Sequence, residues 1–168
     1  MKLESMSKNI VGTMITLSRN EMLRRLICVN DNPYDLTKPI PEYQEVINPS
    51  SEKARIHPYA FNAENSEEEV GVFVRVYYND GDFNENEVIA ESQLHVDIIC
   101  HKDLWLINNG RESIIRPYDI AGRVIDLVGR RSIGTHSKLK FTGYQHLYIN
   151  RKFECIRLYA EYMSVETQ

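Results

Sequence analysis

His95, Asp97 and the Cys100-His101 pair are the residues of this chain with the most chemistry to offer. His95 and Asp97 stand two apart in Gln93-Leu-His-Val-Asp-Ile-Ile-Cys100, whose alternation predicts a strand. Both therefore fall on one face, about 7 Å apart along the chain. A histidine and a carboxylate so placed could move a proton. A strand with a solvated polar face produces the same pattern, and we read it that way. A tetrahedral metal site needs three or four converging ligands, whereas His95 and Cys100 have opposite strand parity and point to opposite sides. His57, His136 and His146 are dispersed elsewhere. Asp80-Gly-Asp82 with Asn84 and Asn86 is rich in oxygen ligands, but a calcium loop also needs a closing bidentate acid and flanking helices. An acidic hairpin tip accounts for it. Arg123, Arg130, Arg131, Lys138 and Lys140, with Tyr144 and Tyr148 nearby, could meet phosphates and stack single-stranded bases. No fixed spacing puts those bases on one face. A GxSxG elbow, a glycine-rich phosphate loop and an HExxH pair are absent from the sequence. The expectation is a non-enzymatic chain with no metal and no cofactor, in which His95, Asp97 and His101 are the only residues an enzyme reading could use.

Charge is more informative than any single group. The formal net charge of −4 argues against nucleic acid as the main partner, but it is unevenly placed. From Glu64 to Glu91 there are nine acids (Glu64, Glu67, Glu68, Glu69, Asp80, Asp82, Glu85, Glu87, Glu91) and one base, Arg75. From Arg111 to Arg157 there are ten bases against Glu112, Asp119, Asp126 and Glu154. Scattered solvated charge is one reading. The other is two opposed patches through which copies meet head to tail, the geometry that generates rings. An acidic patch of Asp80, Asp82, Glu85, Glu87 and Glu91 would then face a basic patch of Arg123, Arg130, Arg131, Lys138 and Lys140.

At 168 residues the chain is expected to form one domain, long enough to bury about 70% of its unfolded surface. Ten tyrosines suit strands and wet interfaces, because the ring buries while the hydroxyl keeps a partner. Cys28, Cys100 and Cys155 lie in apolar contexts without close spacing, so buried reduced thiols in a reducing compartment are expected. No apolar run reaches the ~20 residues of a membrane span, and no secretory leader is evident. The expectation is a soluble chain made in a cytoplasm.

The elements that must position these groups follow from periodicity. Asn9–Leu17 could begin a helix after Ser7, weakened by Gly12. Ser18-Arg-Asn-Glu21 reads as a capping box before an apolar stripe of Met22, Leu23, Leu26 and Ile27. Residues 31–53, with Pro33, Pro39, Pro41 and Pro49, read as a surface loop. A strand over Ala54–Phe61 would be an edge or carry a bulge at Pro58. Residues 62–69 read as an acidic turn or loop, and strands 70–78 and 88–100 are expected to flank a long acidic hairpin with its tip at 79–87. Pro117 opens a helix with an apolar face of Ile120, Ala121, Val124, Ile125, Leu127 and Val128. Gly129 is expected as its left-handed C-cap, and Gly122 as a point of close packing on a neighbouring backbone. Strands 139–149 and 153–163 close the chain around an Asn150-Arg151-Lys152 turn. The result is a single α+β domain: a mainly antiparallel sheet backed by helices.

The segment Leu94–Leu158 resembles tailed-bacteriophage structural proteins. It carries a strand, a loop and a helix opening with "RPYxIAG" and "ID" in its second turn, here Arg116, Pro117, Tyr118, Ile120, Ala121, Gly122, Ile125 and Asp126. Ile133-Gly134, Leu139-Lys-Phe141 and Leu147-Tyr-Ile-Asn150 fit the linker and returning strands. The element order is similar to that of tail-terminator and head–tail joining proteins. That resemblance implies a non-enzymatic virion subunit that forms a homo-oligomeric ring, commonly a hexamer, docks other virion proteins and has no membrane partner. DNA would only pass through an acidic lumen, repelled by its phosphate charge. Its place would be the virion, after assembly in the host cytoplasm. A small oligomeric accessory or regulatory protein that binds a host or phage partner is the alternative.

Overall fold

The computed structural model describes residues 2–62 and 69–163 as a single α+β domain. Glu64, Glu67 and Glu68 of the acidic segment, and most of the expected 62–69 loop, lie outside the described residues. In chain order the elements are α1 (Leu3–Arg19), α2 (Glu21–Cys28), α3 (Tyr43–Ile47), β1 (Ile56–His57), β2 (Val72–Phe83) and β3 (Ile89–His101). A single 3-10 turn (Lys102–Leu104) follows, then β4 (Leu106–Asn108), β5 (Ser113–Ile115), α4 (Arg116–Val128), β6 (Lys138–Tyr148) and β7 (Phe153–Met163).

The main sheet has the order β1-β2-β3-β7-β6 and is antiparallel except for β1, which pairs parallel to β2. Alternation builds its two faces. Val72, Val74 and Val76 of β2, Leu94, Val96 and Ile98 of β3, and Ile156, Leu158 and Ala160 of β7 form one apolar face. Leu17 of α1, Leu23 and Leu26 of α2, and Ile120, Val124 and Val128 of α4 cover that face. A second, smaller apolar cluster of Phe73, Ile99, Phe153 and Cys155 lies on the other face, under Phe61.

The structure departs from the expected elements at several points, each for a physical reason. α1 begins at Leu3 and runs through Gly12. A Cβ there would stand 2.9 Å from Ile133 and 3.3 Å from the Gly134 nitrogen, so glycine is what lets the helix meet that loop. Gly134 in turn has φ +70° and would clash with the Lys8 carbonyl if it carried a side chain. Ser18 does not cap α2. It donates to the Ile15 carbonyl, and Asn20 accepts from the Leu23 amide at 2.9 Å as the N-cap. α3 interrupts the proline-rich 31–53 loop, closed by a reciprocal Glu42–Glu45 capping box. The 54–61 strand shrinks to Ile56–His57, an edge as expected. β2 continues through Phe83, with bulges near Asn79 and Phe83, so the acidic tip is a tight turn at 84–87 in which Asn84 Oδ1 accepts from Asn86 and Val88. The short β4–β5 hairpin was not expected. Gly129 is extended (φ −66°), and Arg130 takes the left-handed conformation instead (φ +57°). Glycine is needed at 129 for space, because a Cβ would meet the Ile125 carbonyl oxygen at 2.5 Å. Gly122 faces open space and makes no close packing.

Candidate functional site

The histidine–aspartate pair belongs to a buried network, not to a solvated face. Asp97 and His95 are each 3% exposed. Arg157 of β7 donates from Nε to Asp97 Oδ1 at 2.7 Å and from a terminal nitrogen to Oδ2 at 2.9 Å. The Tyr77 hydroxyl of β2 donates to Asp97 Oδ2 at 2.7 Å and accepts from Arg157 at 3.0 Å. Cross-strand register creates the trio, since Asp97 lies opposite Arg157, and Tyr77, opposite His95, reaches Asp97 diagonally on the same face. The bidentate pair holds the Arg157 guanidinium firmly charged, while burial and the Asp97 carboxylate push the Tyr77 hydroxyl up. Asp97 is therefore committed as an acceptor on both oxygens. His95 stands edge-on between Tyr77 and Tyr159, with ring centroids 5.4 and 5.0 Å away, and its Nε2 pairs with Gln93 Oε1 at 3.1 Å. Burial and the Arg157 charge hold it below the usual histidine range, which favours the neutral ring.

The remaining candidates separate. Cys100 lies on the helix-side face, opposite to His95 as its parity predicts. His101 packs edge-on against Phe153 at 5.1 Å, and its Nδ1 accepts from the Asp103 amide. Burial pushes the thiols of Cys28 and Cys100 up to about 11 and about 12 and raises that of Cys155 too, so all three are inert, unpaired thiols. Asp80 and Asp82 sit within a strand, opposite Gln93 and Glu91, and do not form an ion-binding loop.

Beside this network, Arg75 is buried beneath three rings, with its guanidinium carbon 5.1 Å from the Tyr59 centroid, 5.4 Å from Phe61 and 5.9 Å from Phe73. Burial, with the Arg75 charge, pushes the neighbouring His57 down from about 6.5 to about 4. The folded state thus binds fewer protons than the unfolded chain between those values. Its contribution to stability is complete above pH 6.5, and it is lost as pH falls toward 4. Allowing for partial exposure, we expect a loss of about 1–2 kcal/mol across that window. Thermal melts of wild type and His57→Gln between pH 7 and 4 check this: the variant should lack that share of the decline, and parallel curves would contradict it.

The largest polar investment is elsewhere. Arg116, at the start of α4, is 1% exposed, and its guanidinium is held by backbone carbonyls. It donates to four carbonyl oxygens: Leu104 at 2.8 Å, Leu26 at 2.7 Å, Val29 at 2.9 Å and Asn30 at 2.6 Å. Three of these end or follow α2, where orphan carbonyls and the negative dipole end both favour a cation. Sequence reasoning noted Arg116 only as part of a motif. The available signal was a cation in the first turn of a helix, where the dipole disfavours it.

The charged patches are the surviving candidate site. Asp80, Asp82 and Glu91 line one wall of an open groove of about 730 Å³ at the far end of the sheet. Glu85 and Glu87 lie on the 84–87 turn beyond it, with Glu87 left-handed (φ +57°). Arg130, Arg131 and Lys140 border, with Asp126, Gly129 and Phe141, a shallow depression beside the end of α4. Lys138 is the first residue of β6 and is bridged to Ser132. Arg123 is drawn off toward Asp119, 3.6 Å away and one turn earlier on α4, and the same Asp119 accepts from Tyr34. Tyr144 and Tyr148 are each 65% exposed on β6, the former edge-on to Tyr118 and the latter under Lys102.

A model of the YomW family matches residues 20–162, from α2 through the last strand. The chain belongs to the YomW family. YomW is phage-derived, so this is a phage-associated protein, as the "RPYxIAG" resemblance implied; the family does not specify a head–tail position. No curated protein and no solved structure gave a significant match. The YomW match includes the Arg116 clamp, the Asp97 network and both charged patches.

Proposed function

We propose that this chain is a non-enzymatic structural subunit of a phage particle. It assembles into a ring at the neck or the tail end and docks other virion proteins from that ring. The observation that carries the reading is the placement of opposite charge on strands toward opposite edges of one sheet. The acidic arm extends the β2–β3 hairpin, and the basic cluster lies between the end of α4 and β6. A head-to-tail contact needs two different, complementary surfaces on each copy, fixed relative to each other. The β2–β3 hairpin joins β7 as far as the Leu94–Ala160 pair, and β7 joins β6. One sheet thus anchors the base of the acidic arm to the strand that borders the basic cluster.

Asp97 supports the same reading, because both of its oxygens accept from Arg157 and Tyr77 within the fold. The acidic arm would face a neighbour or a lumen through which DNA passes without adhering. The test is assembly after charge reversal. Arg130→Glu with Arg131→Glu should leave a folded chain that no longer self-associates, as read by light scattering beside far-UV circular dichroism. Unchanged assembly of the folded variant would reject the mechanism.

A further inference from the structure

We infer that the contact between copies is a main-chain β-ladder, formed by the free edge of β6 on one copy and the free distal edge of β2 on the next. The inference rests on the ring reading above and specifies its interface. Both edges are open among the described residues. β1 covers β2 only at Val74 and Arg75, and the 130–132 segment covers β6 only at Lys138 and Leu139. The Leu139 amide and carbonyl bond to Arg131 and Arg130, on the side away from β7. Ladder alternation and the bulge at Thr142 then turn the main-chain groups of Phe141, Tyr144, His146 and Tyr148 outward. By the same alternation, Val76, Tyr78 and Gly81 present theirs on the β2 edge. Open edges free of proline are templates for another strand, and their bulges and charges restrict which strand can join.

Direction and register select the partner. β2 runs antiparallel to β3, β3 to β7 and β7 to β6, so β2 and β6 run in opposite senses. A second copy set beside the first, with its strands in the same senses, therefore brings its β2 antiparallel to the first copy's β6. Rows across the sheet fix the level: Phe141 pairs with Ala160, Ala160 with Leu94 and Leu94 with Tyr78. The β3–β7 ladder ends at Leu94 and Ala160. One step beyond it Lys140 pairs with Glu161 and Gln93 pairs with Asp80, so Lys140 and Asp80 each follow the Phe141–Tyr78 row at opposite edges. Asp80, Asp82, Lys138 and Lys140 also share one face of the sheet, the face that carries Asp97 and Arg157. The added ladder then sets lysines against aspartates as cross-strand pairs. A copy placed with its strands reversed would lose that match. The occupant of each edge is thus a second copy of this chain.

Light scattering of the whole chain tests this with three variants: Tyr144→Pro, Lys138→Asp with Lys140→Asp, and Asp80→Lys with Asp82→Lys. Proline is tolerated at an edge position whose amide faces outward, so Tyr144→Pro removes the ladder donor while circular dichroism confirms the fold. We expect Tyr144→Pro and each reversal alone to weaken assembly at least about tenfold, and the two reversals combined in one chain to restore it. If Tyr144→Pro fails to fold, the reversals and their combination decide alone. A wild type that assembles, with variants that assemble equally well, would overturn the edge pairing and leave the ring reading standing. A wild type that is monomeric at every concentration would overturn both.

Discussion

Replacing Arg116 by methionine should cost about 3–5 kcal/mol, a large part of the stability of a domain this size. Methionine keeps much of the apolar stem but leaves the carbonyls of Leu104, Leu26, Val29 and Asn30 without the guanidinium that now bonds them. These oxygens come from the end of α2 and from the turn before β4, so the loss should loosen the junction of both with α4. Lysine should fare nearly as badly, because a point charge with three donors cannot reproduce a planar fork that reaches four acceptors. Urea denaturation of both variants checks this. A cost below about 1 kcal/mol for either would mean that the clamp is incidental.

Replacing Asp97 by alanine should cost about 2–4 kcal/mol and leave assembly of the surviving folded fraction unchanged. The substitution strips Arg157 of its bidentate partner and Tyr77 of its acceptor in a region closed to water on the Asp97 side. Removing both charges as Asp97→Leu with Arg157→Met should recover most of that loss, since an apolar pair leaves no charge uncompensated. Denaturation of Asp97→Leu, Arg157→Met and the double, beside Asp97→Ala, completes the cycle. Equal costs for Asp97→Ala and the double would show that the pair does not act as a unit. Loss of assembly without loss of stability in Asp97→Ala would return the residue to a functional role.

These two sites also show what could be read from the sequence. β3, β7 and α4 were legible because Leu94-Val96-Ile98, Ile156-Leu158-Ala160 and Ile120-Val124-Val128 repeat at the strand and helix periods. The burial of His95 and Asp97 was not. Alternation says that a second face is polar, but it does not say whether water or an arginine sixty residues away satisfies that face. Arg116 is harder still, because its partners are backbone carbonyls as far as ninety residues away, and carbonyls have no sequence identity. α3 and the β4–β5 hairpin are too short to show a period. Propensity makes Gly12 a helix weakener because it ignores what packs against the helix, here Ile133 and Gly134. The acidic and basic segments were visible in composition, but their positions at opposite edges of one sheet required the strand order.

The measurement that bears most directly on the ring is the mass of the wild-type chain in solution, by light scattering at low and high salt, with the Arg130→Glu, Arg131→Glu variant beside it. The account predicts one discrete multiple of the 19.6 kDa subunit at low salt. That species should weaken as salt screens the opposed patches and be absent from the variant. A monomer at both salts, or an assembly indifferent to salt and to the reversal, would contradict it.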